Sequence, residues 1–152
     1  MPDQSRDDSR GAYARRQFVA AGLCALAHGQ ASAQPPSHSK AAKISVAAAS
    51  LKPDVIASKD IISGSPRAGD LVFSKSEDGR ETRGIWSCTP GSFHWTFDTD
   101  ETAIILQGAV AVRLEDGTAL ELKPGDLACF SRGAKTVWTV HETLRKVYVL
   151  YH

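Results

Sequence analysis

The C-terminal part of the chain predicts an all-β domain, on three observations. Beyond Gly69 the apolar runs are short and none holds a helical period. A turn signal interrupts almost every gap, at Gly79, Pro90-Gly91, Gly108, Asp116-Gly117, Pro124-Gly125 and Gly133. The runs also recur at spacings of roughly ten residues, the rhythm of a sandwich or barrel.

Taken in order, the candidate strands are 70–75, 82–88, 92–97, 102–107, 109–114, 118–122, 126–130, 135–140 and 143–151. Asp116-Gly117 lies between Val110-Val112-Leu114 and Ala119-Glu121, and both residues tolerate the positive φ of a tight hairpin turn. Upstream, residues 35–66 read as a linker and N-terminal arm: the stretch to Ser50 is rich in Ala, Ser and Pro without apolar period. Val55-Ile56 and Ile61-Ile62 are candidates for a short added strand. The domain proper is expected over 67–152.

Residues 1–34 are of another kind. A polar start leads to Arg15-Arg16, then a mildly apolar run from Phe18 to Ala27 and a small-residue site at Ala31-Ser32-Ala33. This reads as an export signal, with paired arginines that resemble a twin-arginine leader, and implies a periplasmic or exported protein; a cytoplasmic location is the alternative. The run is far shorter than the ~20 apolar residues a membrane span needs. Cleavage would remove four of the 18 basic and three of the 17 acidic side chains, leaving a balanced remainder. No clustered positive charge then offers a footprint for nucleic acid. Cys88 and Cys129 would remain, either bridged or, more simply for strand residues, as free thiols acting as small hydrophobes.

From Phe93 to Asp98, strict alternation places Phe93, Trp95 and Phe97 on one face and His94, Thr96 and Asp98 on the other. Periodicity alone buries the aromatics and exposes the histidine. The segment Cys88 to Val140, however, resembles the two signature motifs of the cupin superfamily, G(x)5HxH(x)3,4E(x)6G and G(x)5PxG(x)2H(x)3N. His94, Glu101 and Gly108 fit the first and Gly125 and Gly133 the second, while Thr96 and Thr136 stand at the second and third histidine positions. Cys88, Ser131 and Val140 replace the leading Gly, the Pro and the Asn. The stretches from Gly84 to Asp98, Glu101 to Gly108, Pro124 to Asp126 and Leu144 to Tyr148 are similar to the subfamily of ureidoglycine aminohydrolase and ethanolamine-utilisation proteins.

The resemblance implies a single cupin jelly-roll β-barrel with the motif histidine positions lining its interior. His94 would then face the cavity, held by Glu101 as a general acid or base, or as a hydrogen-bonded pocket residue without catalytic duty. Thr96, Thr136 and Trp138 would line the same pocket, with Trp86 and Tyr148 near its mouth. Two of four metal-ligand positions are kept, and threonine hydroxyls are poor ligands for divalent transition metals, so neither metal nor other cofactor is expected. The aromatic face of Phe93, Trp95 and Phe97 would turn outward and be covered by a second copy, predicting a homodimer. Arg145-Lys146 reads as a solvated charge pair. The leading functional expectation is a small polar organic ligand bound in the barrel. The alternatives are a metal-dependent, aminohydrolase-like enzyme acting on a ureido or amide compound, and a non-catalytic structural homodimer.

Overall fold

A computed structural model describes residues 41–152. The expected export signal, and Cys24 within it, lie outside the described residues. Nine strands form one curled antiparallel sheet: β1 (Lys52–Asp54), β2 (Ile61–Gly64), β3 (Ala68–Lys75), β4 (Glu81–Cys88), β5 (Gly91–Thr96), β6 (Asp100–Leu114), β7 (Ala119–Leu122), β8 (Leu127–Phe130) and β9 (Lys135–Tyr151). A 3-10 turn, Ser58–Asp60, precedes β2. This is the all-β jelly-roll barrel expected. Of the arm's two apolar pieces, Ile61-Ile62 becomes strand, in β2, which pairs with β5, while Val55-Ile56 lies just beyond β1, which is built from Lys52–Asp54 and pairs with β3.

Two long strands organise the sheet. β6 and β9 pair along nearly their whole length, from Asp100 opposite Tyr151 to Leu114 opposite Thr136. The sequence predicts two strands in each of these stretches, 102–107 with 109–114 and 135–140 with 143–151. They are continuous because the interruptions are accommodated within the ladder, by register shifts between Ile105 and Val110 and by an exposed stretch at 141–143. Along β6 the buried positions are 101, 103 and 105, then 108, 110 and 112. The bulged crease therefore moves the inward parity by one, the usual effect of an inserted residue.

On either side of the crease the sheet forms two halves. One contains β1, β3, β4, the C-terminal part of β9, the N-terminal part of β6 and β8; the other contains β2, β5, the N-terminal part of β9, the C-terminal part of β6 and β7. Their concave faces meet in an aromatic core. Phe97 stacks on Phe130 with centroids 4.5 Å apart, and Trp86 meets Trp138 edge-on at 6.2 Å. Such pairs add about 0.5–1.5 kcal/mol beyond area burial.

This arrangement corrects the orientation implied for β5. Antiparallel partners share a face, and the register sets Phe93 against Trp138 and Trp95 against Thr136, with His94 against Val137 and Thr96 against Lys135. Phe93 is 1% exposed and Phe97 is buried with it, while Trp95 packs against the same cluster. His94 is exposed. The aromatic face is thus the core of one chain, so a homodimer through it has no surface to use. The exposed large apolar side chains include Ile104, Leu106 and Leu127, with Ile104 paired to Leu127 across β6 and β8.

The thiols are free: Cys88 is buried and Cys129 is exposed. Burial, reinforced by the nearby Asp54 charge, pushes the Cys88 thiol up to about 12. Thiolate is the reactive form. Alkylation near pH 8 should therefore label Cys129 and spare Cys88, as read by peptide mass mapping; equal labelling of both would contradict this packing. The raised value favours the folded state fully below the ordinary thiol value of 9.0 and progressively less as pH rises toward 12.

Candidate functional site

The concave face of the first half-sheet carries an unusual concentration of polar groups for a barrel interior. On β4 the inward positions are Thr82, Gly84, Trp86 and Cys88, and on β9 they are Leu144, Lys146 and Tyr148, all buried. Glu101 enters from the start of β6. Its carboxylate accepts a hydrogen bond from the Lys146 ammonium, and the two side chains are 7% and 6% exposed.

The expected His94–Glu101 partnership is replaced by this one. His94 points to the outer face and Lys146, read from the sequence as solvated, is the partner of Glu101. Its neighbour Arg145 faces the other way, half-buried, and donates from Nη2 to the Ala49 carbonyl of the arm at 2.8 Å.

Aromatic rings enclose the ammonium. Lys146 Nζ stands 5.1 Å from the Trp86 ring centroid and 5.0 Å from that of Trp138, within cation–π range. Both rings are fixed through their indole N–H groups. Trp86 Nε1 donates to Asp54 Oδ2 at 3.0 Å, and Trp138 Nε1 donates to Thr136 Oγ1 at 3.0 Å. The Thr136 hydroxyl in turn donates to the Trp95 carbonyl at 2.7 Å. Nearby, the Tyr148 hydroxyl donates to Asp70 Oδ1 at 2.7 Å.

Of the seven residues singled out from the sequence, the structure gathers Glu101, Trp86, Trp138, Tyr148 and Thr136 on the concave side. His94 and half-buried Thr96 lie on the opposite face of β5. Lys146, Asp54 and Asp70 were missed. Lys146 shares parity with Tyr148 two residues on, so its inward direction was available from alternation, but its charge pointed to solvent. Asp54 and Asp70 come from strands whose pairing only the folded sheet reveals.

The metal of the cupin pattern does not fit these residues. Glu101 already holds the Lys146 ammonium, the Thr136 position offers a hydroxyl, and Trp95 of β5 and Phe97 just beyond it pack into the core. Among the described residues no three His, Cys, Asp or Glu side chains converge as a ligand set. An open groove of about 420 Å³ runs beside β1, lined by Leu51, Pro53, Asp54, Val55, Ile56 and neighbouring residues 66–69. Asp54 thus borders this groove while holding Trp86 from behind.

Comparison with known proteins places this geometry in a family context. The profile of a family described as the EutQ-like cupin domain matches residues 75–148. A DUF861 family protein of unknown function from Pseudomonas syringae pv. tomato is 25% identical with a TM-score of 0.62, over 68% of this chain and 45% of its own. The EutQ protein of Clostridium difficile is 19% identical, TM-score 0.57, over 72% of this chain and 85% of its own. A DUF861 family protein from Thermotoga maritima is 42% identical over 44% of this chain and 76% of its own, TM-score 0.43. No curated protein matches the chain.

Proposed function

This chain belongs to the cupin superfamily, with a EutQ-like domain over residues 75–148, and from that premise we propose that its barrel interior binds a small polar organic molecule without a divalent metal. One observation carries the reading: a buried ammonium–carboxylate pair, Lys146 with Glu101, between the rings of Trp86 and Trp138. Burying two charges costs several kcal/mol each, and an apolar pair of similar volume would commonly be neutral or better for stability. A pair kept there, in a concave apolar wall with a few convergent polar groups, has the composition of a ligand site. Tyr148, Thr136 and Asp70 supply further hydrogen-bonding groups. The groove beside β1 is bordered by Asp54, the residue that accepts the Trp86 N–H.

The likeness to ureidoglycine aminohydrolase-type cupins supplies ureido, amide and amino compounds as the first ligands to try. A thermal-shift screen of small amines, amides, ureido compounds and carboxylic acids tests the reading. We expect one class to raise the wild-type Tm by several degrees, with the shift lost in Glu101→Gln and reduced in Tyr148→Phe. If no class shifts the wild type, the interior is a structural core. That second reading draws support from the tight filling of the same space by Phe93, Phe97, Phe130 and Trp138.

A further inference from the structure

Lysine is almost never fully buried unless paired, and the way Lys146 is paired is informative. Its ammonium faces one carboxylate and two indole rings, all with negative potential directed at the same point. The walls are oriented for this. Asp54 accepts the Trp86 N–H and Thr136 accepts the Trp138 N–H, so neither ring can rotate without losing a hydrogen bond. A carboxylate on an indole N–H also adds electron density to the ring face. Aromatic walls closed by a carboxylate are a means of recognising organic ammonium groups.

We infer that the space bounded by Trp86, Trp138 and Glu101 is a receptor for an alkylammonium group, filled in this chain by its own Lys146 side chain, and that an amine ligand enters by displacing it. This rests on the reading of the barrel interior as a ligand site and names the ligand class. Other classes fit poorly. An anion would meet Glu101 and two negative ring faces. A divalent metal would find one carboxylate and no further ligand set among the described residues. A neutral amide would leave the Glu101 charge uncompensated once Lys146 moved away.

The test is to empty the site and refill it. In the full chain carrying Lys146→Ala, n-butylammonium and methylammonium should restore thermal stability, and Trp fluorescence should change in parallel. Because Lys146 fills the site in most wild-type molecules, wild type should bind the same amines roughly tenfold or more weakly. Potassium, n-butanol and acetate should do nothing, and Glu101→Gln placed on Lys146→Ala should abolish the response. Equal rescue by butanol or potassium, rescue by acetate, or no rescue at all overturns the inference. Should Lys146→Ala not fold, refolding from urea with butylammonium or with butanol decides it. Recovery only with the amine supports the inference, and equal failure of both defeats it. A wild-type screen that finds another ligand class while Lys146→Ala ignores amines removes this inference and leaves the proposed function standing.

Discussion

Replacing Glu101 with Leu is expected to lower stability by about 3–5 kcal/mol, because it leaves the Lys146 ammonium buried without its counter-charge. Lys146→Met should be costly for the mirror-image reason. The double variant Lys146→Met/Glu101→Leu should fall close to wild type, since it removes both desolvation penalties and keeps apolar volume between the rings. Urea unfolding of the four proteins forms a double-mutant cycle, and the coupling is the quantity of interest. Additive losses would mean that the two groups do not act as a pair, and the site described here would lose its centre.

The second large effect is expected at the crease. Gly108 has φ +83°, and a Cβ there would fall on the carbonyl oxygens of Thr143 and Glu142 in the facing strand. These are backbone atoms of a paired ladder, so neither can swing aside as a flexible side chain would. Gly108→Ala combines conformational strain with overpacking and should cost about 3 kcal/mol or more. Gly117, at φ +89° in the β6–β7 turn, has open space where its Cβ would lie. Gly117→Ala carries only the left-handed penalty, about 1–2 kcal/mol. Comparing urea midpoints of the two variants isolates the steric part, and equal losses would show that the crease tolerates a side chain.

The turn chemistry made the fold legible. Gly79, Pro90-Gly91, Asp116-Gly117 and Pro124-Gly125 separate strands close to where the sequence predicts them. Gly108 misled, because a glycine that reads as a turn between two strands serves here as a bulge inside one. Alternation from Phe93 to Asp98 correctly set the aromatics against the histidine, and it also assigned the buried side. The motif register reversed that assignment, since its spacer of three or four residues leaves the position before Glu101 uncertain by one. The spacing of three, which puts Trp95 and Phe97 at the two motif positions, agrees with the core-facing side chains there. A one-residue slip in a strand exchanges its faces completely. Lys146 was concealed by chemistry: a lysine on a strand is ordinarily solvated, and only the position of Glu101 opposite two indoles makes burial tolerable. Those neighbours are far apart in the chain.

Strand β9 has a consequence for how the protein is made. β4, β5 and β6 each pair with it, while among the described residues β4 otherwise pairs only with β3, β5 only with β2, and β6 only with β7 and β8. Without residues 135–151 the sheet falls into three unconnected fragments. A growing chain on the ribosome therefore holds Trp86, Phe93 and Phe97 in water until that last strand has emerged, the interval in which sticky intermediates form and chaperones are most needed.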